Sequence, residues 1–395
     1  MLPSRRDALI AGLAGAAALS FPRPGFAAVA GGRKLVVFIL RGGMDGLAAV
    51  APVGDPAYAS ARRGLAQARG SGAALDGTFA LHPKLAGLAG LYASGELIVA
   101  HAVGTPYRDR SHFDAQNVLE TGAAAPFARQ TGWINAALGA LPARTAQGRK
   151  ELGLALAAQE PLVLRGASPV ATWSPSGTPD ADADTVARLM DLYRHTDPQL
   201  AAALTSAQAA NAVAAQAGGM NAKGRGVAPL VKAAAGFLTQ PAGPVAAVIE
   251  MSGWDTHIGQ TQEVGPLARA LTELDAAVLA LKADLGPAWR ETLVVIVTEF
   301  GRTVAMNGSG GTDHGTGMAA FLSGGAIAGG RVLADWPGLA PAALLDGRDL
   351  RPTMDVRALL KGALGDHLGI TRAALDAAVF PDSAAARPVS GLIRA

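Results

Sequence analysis

"KLVVFIL", residues 34–40, decides the fold class. After its leading lysine the run is apolar without a break and rich in β-branched residues. A strand with one wet face would alternate apolar and polar side chains. A continuous run instead reads as a strand covered on both faces, which is the habit of parallel sheets packed between helices. The glycines of Arg41-Gly42-Gly43-Met44-Asp45-Gly46 end it at once.

The same kind of run recurs along the chain: "LIVAHAV" (97–103), "AAVIEM" (246–251), "TLVVIVT" (292–298) and "MAAFLSG" (318–324). Helical patterns separate them. "HPKLAGLAGLYASGE" (82–96) places Leu85, Leu88, Leu91 and Tyr92 on one face. "PLARALTELDAAVLALKADLG" (266–286) does the same with Leu267, Leu271, Leu274, Val278 and Leu281. Strands alternating with helices predict an α/β fold: a mainly parallel sheet with helices on both faces. The Ala-rich stretch from about 140 to 244 reads as mostly helical, a cap inserted into a single α/β domain spanning 31–395. Its acidic "DADAD" (180–184) lacks the spaced glycine and distal glutamate of an EF-hand, and reads as a helix start with favourable acidic residues.

The chain has 395 residues, half of them hydrophobic and 16% charged, which is globular composition. Its 34 basic and 31 acidic residues nearly balance, with no dense basic run and few aromatics, so nucleic acid is not an expected partner. There is no cysteine, which excludes disulfides and thiolate metal sites. Residues 1–30 read as a twin-arginine signal peptide: Arg5 and Arg6, an apolar stretch over 8–20, then Ala-rich ends at Ala27 and Ala30. The expected partner is the twin-arginine export machinery, and the expected location is periplasmic or secreted. The apolar stretch is too short and too rich in Gly and Ala for stable membrane insertion, and none is expected after cleavage. Folded export often carries a cofactor, which favours a bound metal.

Ligands of an open α/β sheet bind beyond the carboxyl ends of the strands, so the residues just after each run matter most. The first run is followed by Arg41 and Asp45. The second leads into "GTPYRDRSHFDAQN" (104–117), with Arg110, Ser111, His112 and Asp114. The third contains Glu250 and leads to Asp255 and His257. The fourth is followed by Glu299 and Arg302. Then comes "GSGGTDHGTG" (308–317), five glycines around Asp313-His314. Carboxylates and imidazoles suit a divalent metal, with zinc, manganese, magnesium and calcium all compatible. Arginines suit an oxyanion such as a phosphate or sulfate ester. Ser111 is a candidate nucleophile, and the start of a helix over 111–120 would favour an anion beside it.

Each of these residues also has a structural reading. Ser111 suits a helix N-cap, Asp45 a turn, His257 a hydrogen bond to Asp255, and Glu299 with Arg302 an ion pair. Convergence at one sheet edge is what favours a site. His82, His101, His195 and His367 lie in other contexts and read as structural.

Several longer motifs, "LRGGMDGL", "LHPKLAGL", "YRDRSHFDAQ", "GWDTH", "TEFGRT" and "GTDHGTG", together resemble the family called domain of unknown function 1501 over about 34–382. That family in turn resembles the alkaline phosphatase and sulfatase superfamily of metal-dependent hydrolases. The resemblance makes His314 a candidate ligand, although Asp255-Thr256-His257 stands where the superfamily has Asp-x-x-x-His; a hydrolase would hold its metal with Asp255, His257 and His314, joined by Glu299 or Asp313. Glu250 and Asp255 keep the superfamily's spacing of a strand-end Glu and an Asp five residues on. Arg41, however, stands where the superfamily has a metal-binding Asp, and Glu299-Phe300 where it has Asp-His. A single-metal site, a rearranged one and a lost one all stay open. Two functions follow as expectations. In the first, an exported hydrolase of phosphate or sulfate esters uses Ser111 or water as nucleophile and Arg41 and Arg302 as charge stabilisers. In the second, a non-catalytic protein of the same fold binds a partner or an anionic glycan at that edge.

Overall fold

Continuous apolar runs need cover on both faces, and here they have it. The computed structural model describes residues 32–149, 151–175, 182–216 and 226–394. The export signal and most of the glycine-rich "GGMNAKGRG" (218–226) lie outside the described residues. The main sheet has nine strands: β1 Lys34–Leu40, β2 Leu97–Gly104, β3 Gly153–Ala155, β4 Val170–Thr172, β5 Ala246–Met251, β6 Thr292–Thr298, β7 Met318–Ser323, β8 Arg331–Leu333 and β9 Met354–Asp355. Across the sheet the order is β8-β2-β7-β6-β1-β5-β3-β4, with β9 also pairing on β2.

The run that decides the fold shows the logic. Val36, Phe38 and Leu40 point into one core cluster, and Leu35, Val37 and Ile39 into the other. Helices cover the two faces, among them α1 Ala86–Ala93, α2 Trp133–Gly139, α3 Pro266–Leu285 and α4 Val356–Leu368. On the first face Leu88 and Leu91 of α1 and Leu267, Leu271, Leu274, Val278 and Leu281 of α3 close the core. On the second, Trp133, Ile134 and Leu138 of α2 and Leu359, Leu360 and Leu364 of α4 do so. At about 25 cal/mol per Å² of apolar surface, each such side chain contributes roughly 1.5–3 kcal/mol when fully buried.

All strand pairs in the main sheet are parallel except those of β7, which runs antiparallel to both β6 and β2. This reversal positions the site. The loops after β1, β2, β5 and β6 leave the sheet at one edge, and the segment before β7 enters at that same edge.

The expectation for 140–244 needs correction. Its first part is not helical cap: β3 pairs with β5, β4 pairs with β3, and the two extend the sheet. A helix over Ala228–Leu238 buries Val231 and Leu238 in the first core and so belongs to the helical layer. What stands off the sheet is a helical pair, Ala183–Thr196 and Pro198–Gln216, in which only Ala214 is buried. The part of "DADAD" within the described residues is a helix start: the Asp182 carboxylate accepts from the Thr185 amide at 2.9 Å. No helix among the described residues is long and apolar enough to cross a membrane.

Candidate metal centre

Five segments meet at the carboxyl edge. A helix over His112–Thr121 begins after the loop that follows β2 and brings His112 to the edge. Asp255 and His257 lie just beyond β5. Glu299 and Arg302 lie just beyond β6. The 308–317 segment is not an idle hairpin tip. It threads between the loops of His257 and Arg302, held by bridges between Ile258 and Gly310 and between Arg302 and His314. The glycines make that threading sterically allowed. A Cβ on Gly311 would sit 2.2 Å from the His257 carbonyl carbon. Gly42, with φ of 124°, does the same beneath Asp255, where a Cβ would lie 2.4 Å from the Asp255 amide nitrogen.

Three imidazoles surround the Asp255 carboxylate, each braced at Nδ1 with Nε2 turned inward. His314 Nδ1 lies 3.0 Å from the Arg110 carbonyl. A carbonyl only accepts, so this nitrogen carries the hydrogen and the neutral ring presents a lone pair at Nε2. His257 Nδ1 lies 3.1 Å from Asp313 Oδ1, and His112 Nδ1 lies 2.9 Å from Glu299 Oε1. The Nε2 atoms of His257 and His314 are 3.0 Å apart, and they lie 2.9 and 3.2 Å from Asp255 Oδ1. His112 Nε2 is buried with no hydrogen-bond partner, 3.5 Å from Asp255 Oδ2. Electron-pair donors thus face one another, an arrangement that a shared proton or a metal cation would relieve. His112, Asp255 and His314 satisfy a metal-site geometry, with one ligand atom from each lying within 4.8 Å of the others.

Electrostatics keep the carboxylates ionised and His314 neutral. Burial would raise the Asp255 carboxyl, but the hydrogen bond and charge of Arg302, aided by His257 and His112, hold it below the usual range. Burial would likewise raise Glu299, and hydrogen bonds from His112 and Gln116 outweigh it, keeping it an anion. Asp313 is held low chiefly by the hydrogen bond from Asn307. His314 is pushed below its ordinary value by burial and by the charge of His112, so its ring stays neutral. His112 is pushed up by its hydrogen bond to Glu299, against burial. The Phe300 ring lies against the rings of His112 and His314, centroids 4.9 and 5.0 Å away, and walls the cluster on that side.

Of the residues expected as ligands, Asp255, His257 and His314 come together. Glu299 and Asp313 do not join them as ligands; they stand one step out and orient His112 and His257, the role carboxylates take behind metal-bound histidines. His112, expected only as a general site candidate, takes the inner place. Arg110 contributes its carbonyl, aimed by a left-handed backbone (φ 64°), while its guanidinium pairs with Asp346 and Asp349.

The arginines expected to stabilise developing charge are occupied. Arg41 spans Glu120 (2.6 Å) and Glu250, and these partners hold its proton more firmly than usual despite burial. Arg302, 1% exposed, donates to Asp255 Oδ1 at 2.7 Å, to the Gly42 carbonyl and to Thr312, and so positions Asp255. Arg302 is sealed from solvent, and Arg41 is only partly exposed.

Asp45 is structural as well. It is fully buried, caps the helix Gly46–Ala49 and pairs with the equally buried Arg62 at 2.5 Å. Removing one partner of such a pair costs about 3–5 kcal/mol. Asp114 accepts from the Tyr107 hydroxyl at 3.0 Å, outside the cluster. Ser111 occupies the N-cap position without hydrogen-bonding the first-turn amides, one residue before His112. His82, His101, His195 and His367 all hydrogen-bond nearby backbone, away from the cluster.

The chain belongs to the family described as "Protein of unknown function (DUF1501)", whose model matches residues 89–380. No curated protein matches it. Among solved structures, it is similar to the C-terminal periplasmic domain of EcEptC from Escherichia coli in complex with Zn. That match has 11% identity, covers 73% of this chain and 72% of that one, and has a TM-score of 0.35. It is also similar to Ps i-CgsB in complex with k-i-k-neocarrahexaose, at 12% identity over 90% of this chain and 77% of that one, with a TM-score of 0.40.

Proposed function

For this member of the DUF1501 family we propose a metal-dependent hydrolase of phosphate or sulfate esters, exported by the twin-arginine route to the periplasm or beyond. The observation that carries the reading is the set of three imidazoles braced at Nδ1 with Nε2 converging on one carboxylate. Zinc fits this set best. Tetrahedral zinc bonds of about 2.0–2.1 Å separate neighbouring ligand atoms by roughly 3.3 Å. The spacings of 2.9, 3.0, 3.2 and 3.5 Å around Asp255 bracket that value. Nitrogen-rich ligation suits zinc, and manganese less well; magnesium and calcium prefer all-oxygen shells. The resemblance to alkaline phosphatases and sulfatases supplies the ester chemistry.

A bound metal would supply Lewis acidity and a water acidic enough to attack at neutral pH. The chain's own residues do the rest. Glu299, Asp313 and the Arg110 carbonyl fix the imidazole orientations. Arg302 keeps Asp255 ionised and aimed. The amides at the start of His112–Thr121 favour an anion, and the Ser111 hydroxyl, unused in capping, is the nucleophile on hand.

A second reading has one observation behind it: Arg41 and Arg302 are both spent on carboxylates, leaving the cluster without a free guanidinium. This favours a non-catalytic protein that uses the metal to bind a partner or an anionic glycan.

Metal analysis and ester turnover on exported protein separate the readings. The hydrolase predicts about one zinc per chain and zinc-dependent cleavage of p-nitrophenyl phosphate or p-nitrophenyl sulfate. Stoichiometric zinc with neither ester cleaved supports the binder, and no retained metal overturns both. Export is tested by replacing Arg5 and Arg6 with Lys, which should leave the precursor in the cytoplasm.

A further inference from the structure

A cavity of about 480 Å³ adjoins the metal centre on the Asp313 side. That volume falls within the range of small-molecule sites. Asp313 faces two ways: its Oδ1 accepts from His257, and the residue lines the cavity wall beside Asn307. Arg63, Arg348 and Met306 also line it, and the lining is mixed polar and apolar.

Arg63 stands out on three counts. It is exposed, and among the described residues its side chain makes no hydrogen bond or ion pair. Arg348, by contrast, is tied to Asp349 at 3.1 Å. The Arg63 backbone, φ 51° and ψ −123°, is that of the first central residue of a type II′ turn, a place that favours glycine. The next residue is Gly64, so a glycine one position earlier would have relieved the strain. An exposed arginine on a strained backbone, lining a cavity and without a charged partner among the described residues, points to a function for the arginine and not to packing.

We propose that this cavity receives a second anionic group of the substrate, a carboxylate, sulfate or phosphate on the organic part of the ester, with Arg63 as its anchor. The word substrate rests on the hydrolase reading; the anion site itself does not. The reacting ester would lie at the histidine cluster and the remote anion past Asp313. The binding charge missing at the cluster is thereby provided from the adjoining cavity, and model esters with a single anionic group would be poor ligands.

The test uses the full-length mature protein as purified, at pH 8, with inorganic sulfate as probe in calorimetric titrations of the parent, Arg63→Gly and His314→Ala. Saturable sulfate binding is expected in the parent and in His314→Ala, weakened about tenfold or more by Arg63→Gly, as for loss of a charge-assisted hydrogen bond. Arg63→Gly should melt no lower than the parent, since glycine suits the turn. No saturable binding in the parent, or equal binding in Arg63→Gly, overturns the proposal.

The kinetic arm compares p-nitrophenyl phosphate with its ring-carboxylated counterpart. Arg63→Gly should raise KM about tenfold for the carboxylated ester alone and leave kcat unchanged. If sulfate behaves as expected and neither ester is cleaved, the hydrolase reading falls and the anion site stands. If both esters are cleaved with unaltered constants in Arg63→Gly, the reverse holds.

Discussion

Two sets of histidines in this molecule share a residue type and little else. His101 and His367 lie in the core, each with Nε2 against backbone carbonyls: Gly46 and Val50 for His101, Lys34 for His367. There the imidazole is a neutral donor that satisfies buried carbonyls. At the sheet edge, the acceptor lies on the other nitrogen. Nδ1 is braced and Nε2 is left facing a carboxylate and another ring. The difference between a structural histidine and a ligand is therefore which nitrogen finds the acceptor, and what the other then faces.

The largest effect expected from this contrast is acid destabilisation through the core pair. Burial pushes His101 and His367 down to about 4 from the ordinary 6.5. As pH falls below 6.5 the unfolded chain takes up a proton on each histidine while the folded chain does not. Their contribution is complete above about pH 6.5 and declines as pH drops toward 4. At 1.36 kcal/mol per unit, the loss is roughly 3 kcal/mol for each histidine. Denaturant unfolding between pH 7 and pH 4 checks it, and His367→Gln should flatten the slope by about one proton. An unchanged slope would break the contrast on the core side.

On the edge side, His314→Ala should lower zinc affinity by about 100-fold or more, roughly 3 kcal/mol, as expected when one of four ligands is lost from a site worth 10–16 kcal/mol. Competition with a chelator measures it. The protein should remain folded, since His314 is partly exposed. Retained affinity would place the metal elsewhere.

The braces come next. Glu299→Gln should weaken zinc binding about 10–100-fold, the usual cost of losing a partner behind a ligating histidine. Asp313→Asn should cost less, because its carboxylate is 52% exposed and water can replace it, whereas Glu299 is fully buried. Equal effects would mean that burial does not set the strength of the brace.

The same contrast marks what the sequence alone could show. Every continuous apolar run became a strand, because a run of that length and composition has few other ways to be buried. β3 and β4 escaped notice: "GLA" and "VAT" are too short for any period to register. The reversal of β7 was equally hidden, since an apolar run carries no direction. Asp255, His257 and His314 were legible as ligand candidates because they flank strands at the binding edge. His112 was legible only as a candidate, although its place one residue into a helix start, with a bare N-cap Ser111 before it, already turned it toward that edge. Glu299 and Asp313 could not be told from ligands, because a carboxylate that braces a histidine and one that binds a metal look alike in sequence. Arg41 and Arg302 were misread because their partners, Glu120 and Asp255, lie 79 and 47 residues away.

The smallest effect is the control on the whole contrast. His195 is exposed near the end of the Ala183–Thr196 helix, and its Nδ1 bonds only the Asp191 carbonyl of its own helix, at 2.7 Å. In the last turn a charged imidazole gains a little from the helix dipole, and a neutral one gains less. His195→Ala should therefore change unfolding free energy by no more than about 0.5 kcal/mol. Zinc affinity and ester turnover should match the parent, because neither ring nitrogen faces a carboxylate or a second imidazole. Urea unfolding and a chelator competition run beside His314→Ala decide the matter. If the two variants lose zinc equally, any histidine in this chain serves as well as another, and the braced arrangement around Asp255 has no special claim to the metal.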